Sequence, residues 1–135
     1  MEKKKIVIIS EHFETRHDEI LCYSLFGGEI DKRGFMDNTS CFSRLFEGQN
    51  FVLKMIFRNN HPDIIVIDEY AGQNLSLATA GAINSFREAG YKGMIIVIDC
   101  YGCADINWKD TGADFYGTYS QVADFIREKH ILNAA

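Results

Sequence analysis

Three acids stand at or just past the ends of continuous apolar runs: Glu11 after Ile6–Ile9, Asp68 after Ile64–Ile67, and Asp99 after Met94–Ile98. Such runs show no alternation between a wet and a dry face, the pattern of a strand covered on both sides in a parallel sheet. In an open α/β sheet, ligands bind in the crevice beyond the carboxyl ends of the central strands. Asp68 is therefore the first functional candidate. If Glu11, Asp68 and Asp99 converge there, like charges ~4 Å apart repel by about 4 kcal/mol at an effective dielectric of 20. Two things relieve such a cluster: a carboxyl that keeps its proton, or a hard cation such as Mg²⁺ or Ca²⁺, which takes oxygen ligands.

Cys100-Tyr-Gly-Cys103 is a second constellation. A CxxC becomes a redox pair where a helix N-terminus stabilises a thiolate, and a zinc site needs a second ligand pair. Cys22, Cys41 and the four histidines are scattered, without metal-ligating spacing. Two small residues in a loop after a strand is the simpler reading. A core-forming chain of this size has no need of disulfide staples, so reduced thiols are expected.

The elements that must position these groups follow from periodicity. Pro62 ends the preceding helix by restricting its own φ and that of His61. Thr15 with Asp18 suits a capping box, and Phe13, His17, Ile20, Leu21 and Leu25 have helical spacing up to Gly27-Gly28. Residues 28–40 are loop-like. Cys41–Phe46 alternates and predicts a short strand, followed after Gly48 by a helix from Gln49 to Asn59; one long helix from Ser40 to Asn59 is the competing parse. A helix carrying Leu75, Ala78, Ala82, Ile83 and Phe86 closes at Gly90. Asp105–Thr111 predicts a short polar helix, Phe115-Tyr116 a brief strand, and Val122, Phe125 and Ile126 a closing helix to about Ile131. Alternating strands and helices specify an α/β sandwich with a parallel sheet.

With 135 residues, 47% hydrophobic and 24% charged, the chain fits one folded domain over 1–135 and not a disordered class. A net charge of -5, with Lys3-Lys4-Lys5 as its only basic run, argues against nucleic acid as a partner. No stretch has the length of a membrane span or the pattern of a signal peptide, so a cytoplasmic place is expected. No GxGxxG or Walker sequence appears, and the loop after the first run lacks a phosphate cradle suited to flavin.

Laid out in this way, the chain resembles the receiver domain of bacterial response regulators over essentially its whole length. The resemblance is carried by Lys5-Ile-Val-Ile-Ile-Ser-Glu11, His61-Pro-Asp-Ile-Ile-Val-Ile-Asp68, Gly93-Met-Ile-Ile-Val-Ile-Asp99 and Gly112-Ala-Asp-Phe-Tyr116. It implies a flavodoxin-like (CheY-like) three-layer fold with five parallel strands in the order 2-1-3-4-5, an order the doubly-wound class is known for. Carried over position by position, it puts the phosphoacceptor at Asp68. The two metal-holding acids of the first strand fall on Ser10 and Glu11, and the metal-completing backbone carbonyl on Tyr70. Asp99 replaces the hydroxyl that triggers the switch. Tyr119 replaces the lysine of the last loop, Ser120 the proline after it, and Tyr116 takes the aromatic switch position.

Phosphoryl transfer to a carboxylate depends on positioning and on neutralising charge around the equatorial oxygens. This chain lacks the lysine and offers a carboxylate at the hydroxyl position. The expectation is an atypical receiver, not an enzyme, in which phosphorylation at Asp68 is impaired or absent. Mg²⁺ or another divalent cation would be held by Glu11, Asp68 and the Tyr70 carbonyl, with Asp99 as a further ligand. The family face of penultimate helix, last strand and last helix would place Trp108, Tyr116 and Tyr119 toward a protein partner: a sensor kinase, a downstream effector or a second copy. Trp108, in a polar stretch, is expected to be exposed or to contact a partner, and Phe125 to be core. The alternatives are a working phosphoacceptor receiver, a CxxC thiol protein or a ligand-binding domain on the same architecture.

Overall fold

The computed structural model describes residues 5–10, 39–42, 44–69, 75–99 and 106–128. The helix expected from Thr15 to Leu25, the loop-like stretch up to residue 38, and Glu11, Tyr70, Cys100 and Cys103 lie outside them. In chain order the elements are β1 (Ile6–Ile9), β2 (Thr39–Phe42), α1 (Leu45–Phe57), β3 (Ile64–Glu69), α2 (Leu75–Glu88), β4 (Met94–Asp99), α3 (Trp108–Thr111), β5 (Phe115–Gly117) and α4 (Tyr119–Glu128). The strands form one sheet in the order β2-β1-β3-β4-β5, parallel at every pairing. The expected strand order and the flavodoxin-like architecture hold.

The apolar runs are buried on both faces. Ile6, Ile8, Ile64, Val66, Ile96 and Ile98 pack against Val122, Ala123 and Ile126 of α4. Val7, Ile9, Ile65, Ile67, Ile95 and Val97 pack on the other side against Val52 and Ile56 of α1, Ala82, Ile83 and Phe86 of α2, and Trp108 of α3. Period-two alternation thus sends one strand's neighbouring residues into two cores. Removing each such side chain from water contributes roughly 1.5–3 kcal/mol. The core is two layers of branched aliphatics, and it fixes the strand ends that carry the acids.

Three local expectations need correction. The strand expected over Cys41–Phe46 lies at Thr39–Phe42. The helix expected from Gln49 begins at Leu45 and ends at Phe57, so it takes up the end of the expected strand without reaching the full length of the one-helix parse. Gly48, taken as a break, is a buried residue of α1. A Cβ there would lie 2.5 Å from Ile9 Cγ1, so its glycine permits close approach of α1 to β1. Past α1, Asn59 adopts a left-handed φ of 55°, and Asn60 N donates to Met55 O at 2.8 Å. That satisfies a terminal carbonyl of the helix.

Candidate functional site

The Asp68 side of the site is built from β1 and β3. Ile6 pairs with Ile64, Val7 with Ile65, Ile8 with Val66 and Ile9 with Ile67, so Ser10 and Asp68 emerge side by side at the carboxyl edge. Both continue the alternation of Ile8 and Val66 and leave on the α4 face of the sheet. Ser10 is tied into the fold by its backbone N–H, which donates to Phe42 O at 2.9 Å. Its hydroxyl donates to Asp68 Oδ2 at 2.9 Å. A neutral donor favours the ionised carboxylate without adding charge to it.

Asp68 and, as the further ligand, Asp99 are the described residues of the expected cation site, with the Ser10 hydroxyl beside Asp68. A carboxylate and a hydroxyl suit a hard cation chemically but do not complete its shell. The remaining expected ligands, Glu11 and the Tyr70 carbonyl, fall outside the described residues, among which no group of three or more His, Cys, Asp or Glu could hold a metal ion.

Asp99 is differently placed. In the β3–β4 ladder it stands opposite Glu69, with Asp68 opposite Ile98. It continues the alternation of Ile95 and Val97, toward the layer that holds Trp108. There the indole Nε1 of Trp108 donates to Asp99 Oδ2 at 3.1 Å in a buried contact, with Asp99 only 8% exposed. By strand alternation Asp68 and Asp99 continue opposite faces of one sheet edge. An indole donor answers the Asp99 carboxylate.

Trp108 also corrects the expected interaction face. It is 1% exposed, among the largest side chains in the core, and cannot anchor a partner. The polar letters around it mislead, because a helix of four residues leaves no period in which to read one inward position. The turn is closed by Gly112, whose φ of 111° is left-handed, and Ala113 N donates to Trp108 O at 3.0 Å. The Arg87 guanidinium clamps the same loop. It donates to Gly112 O through Nε at 3.0 Å and Nη2 at 2.8 Å, to Tyr91 O and Gly93 O, and to Asp114 Oδ2 at 3.0 Å. Asp114 Oδ2 accepts the Ile95 N–H as well.

Tyr116, on edge strand β5, is 43% exposed, whereas Tyr119 packs partly against the α4-side core. Phe125 also packs against that core, its ring stacked on Phe115 with centroids 4.1 Å apart. Asp99, Lys109, Tyr116, Thr118 and Gln121 line an open cleft of about 560 Å³. Sequence reasoning passed over the start of α4: Thr118 Oγ1 accepts the Gln121 N–H at 3.3 Å, and Gln121 Oε1 accepts the Thr118 N–H at 2.8 Å. This reciprocal capping box was readable as Thr-x-x-Gln.

No family model matches the chain, and no curated protein matches it. Solved structures do. A response regulator from Thermotoga maritima superposes with a TM-score of 0.63 at 19% identity, covering 98% of this chain and 100% of that one. The Mn²⁺-bound form of response regulator Rcp1 gives 0.61 at 12%, covering 97% of each chain. The response regulator domain of Thermotoga maritima CheB gives 0.55 at 14%, covering 99% of each. No helix among the described residues is long and apolar enough to cross a membrane. In strand order and layering, this chain has the CheY-like receiver fold of response regulators.

Proposed function

We propose that the chain is an atypical response-regulator receiver that works as a protein-interaction module, with phosphorylation at Asp68 impaired or absent. The observation that carries this reading is the buried Asp99–Trp108 hydrogen bond. At the position from which a receiver hydroxyl would reach a phosphoryl group stands a carboxylate engaged in the opposite layer. A phosphoryl group on Asp68 would gain no attractive hydroxyl there, and Tyr119 supplies no ammonium. Transfer would lack two of the groups that neutralise its charge. A divalent cation held by Asp68 with Glu11 and the Tyr70 carbonyl remains part of the proposal, because a hard cation offsets such acids through oxygen ligation. Tyr116 is the exposed aromatic through which a sensor kinase or effector would dock.

The test is incubation with acetyl phosphate, or with beryllofluoride, in Mg²⁺, followed by intact mass and amide spectra. The wild-type chain is expected to stay unmodified, and the D99T/Y119K variant to gain modification. Stoichiometric modification of wild-type Asp68 would overturn the reading. A working phosphoacceptor is the second reading, favoured by one observation: Asp68 is part-exposed and held by a neutral hydroxyl.

A further inference from the structure

The outer face of α1 carries aromatic residues that the fold does not use. Phe46 is 69% exposed and Phe57 80%, although Gly48, Val52 and Ile56 of the same helix are buried. Eleven positions separate the two rings, three helical turns, so they stand on one stripe about 16 Å apart. Asn50 and the half-buried Leu53 fall between them. Positions 46, 50, 53 and 57 repeat with the 4-3-4 spacing of a coiled-coil seam. Glu47 in the first turn and Lys54 in the last are seven residues apart and flank that seam on one side.

We propose that this stripe is a homotypic interface, in which two copies of the chain pack α1 against α1 antiparallel across a twofold axis. The charge pattern selects the occupant. Reversing the helix brings Glu47 of one protomer beside the partner's Lys54, and the twofold repeats the pair. The same rotation sets Phe46 against the partner's Phe57 and Asn50 against the partner's Leu53. The stripe is thus its own complement in shape and in charge. Asn50, the polar residue of the seam, fixes register at a cost in affinity. One helix per copy buries less than the ~800 Å² per partner of stable complexes, so the dimer is weak and concentration-dependent. The interface lies on α1, away from the β4–β5 cleft, and holds whether or not Asp68 accepts phosphate.

Sedimentation velocity of the full chain from roughly 10 μM to 1 mM spans the affinities of such contacts. A monomer–dimer equilibrium is expected. F57D should weaken it roughly a hundredfold with unchanged thermal unfolding of the monomer. E47K and K54E should each weaken it roughly tenfold, through like charges across the twofold. Mixed in equal amounts, these two variants should associate, since both flanking pairs in the heterodimer are then opposite in sign. Three results would each overturn the proposal: a wild-type chain monomeric throughout, a dimer indifferent to F57D, or charge variants that ignore one another on mixing. Loss of monomer stability in F57D would overturn it too, by showing that the chain itself covers Phe57.

Discussion

Asp68 and Asp99 end adjacent strands, one residue out of register, and their surroundings diverge. Asp68 is part-exposed beside the Ser10 hydroxyl. Asp99 is buried under an indole, in a layer further tied by the five hydrogen bonds of Arg87. The first is a part-exposed carboxylate held by a hydroxyl; the second is tied to a core indole at the margin of the β4–β5 cleft. Two neighbouring strand ends of one sheet edge therefore need not share an environment.

The largest blow to this contrast is Trp108→Ala. Removing a fully buried indole costs about 4 kcal/mol through cavity formation and takes a donor from Asp99. Trp108→Phe keeps most of the volume and should cost about 2 kcal/mol, chiefly the lost donor. Urea unfolding of the two variants separates packing from hydrogen bonding. A Trp108→Ala cost under about 1 kcal/mol would show that the Asp99 side is not sealed. Arg87→Ala comes next, at about 3 kcal/mol, because three part-buried carbonyls lose a charged donor at once. Hydrogen exchange should then rise first at Ala113 and Asp114.

The sealed layer should also show in alkali. Burial pushes the Tyr91 phenol well above its usual range, with the Arg87 guanidinium opposing and the Asp63 and Asp114 carboxylates reinforcing the rise. Its hydroxyl donates to Pro62 O at 2.9 Å. The unfolded chain releases this proton near pH 10.0, whereas the folded chain keeps it. Stability from Tyr91 is therefore complete below that pH and declines above it. Melting temperatures between about pH 9 and 11 should fall more steeply for the wild type than for Tyr91→Phe, whose constant loss is about 1 kcal/mol. The smallest effect belongs to the open half. Ser10→Ala should cost about 1 kcal/mol in unfolding, the net worth of the hydrogen bond its buried hydroxyl gives to part-exposed Asp68. A larger loss would make the two halves alike.

Much of the scaffold could be read from the chain. Ile64–Ile67 and Met94–Ile98 are too continuous to face water on either side, which requires a doubly covered parallel strand. Asp68 and Asp99 at strand ends follow from where those runs stop. Glycine weakens a helix on average, so local pattern places a break at Gly48, while only the position of Ile9 shows why a glycine is needed inside α1. The burial of Trp108 was likewise out of reach, since α3 is too short to carry a period.

Local pattern thus determined the strands, their order of appearance and the acids at their tips, because apolar continuity and backbone restriction act between neighbours in sequence. Only the tertiary structure decided that Ser10 would serve Asp68, that Trp108 would take Asp99 and that Phe46 and Phe57 would be left outside. Each of those choices depends on which face of a strand or helix meets which neighbour across the fold. Side-chain alternation and long-range packing set that outcome together, and neither is written at any single position.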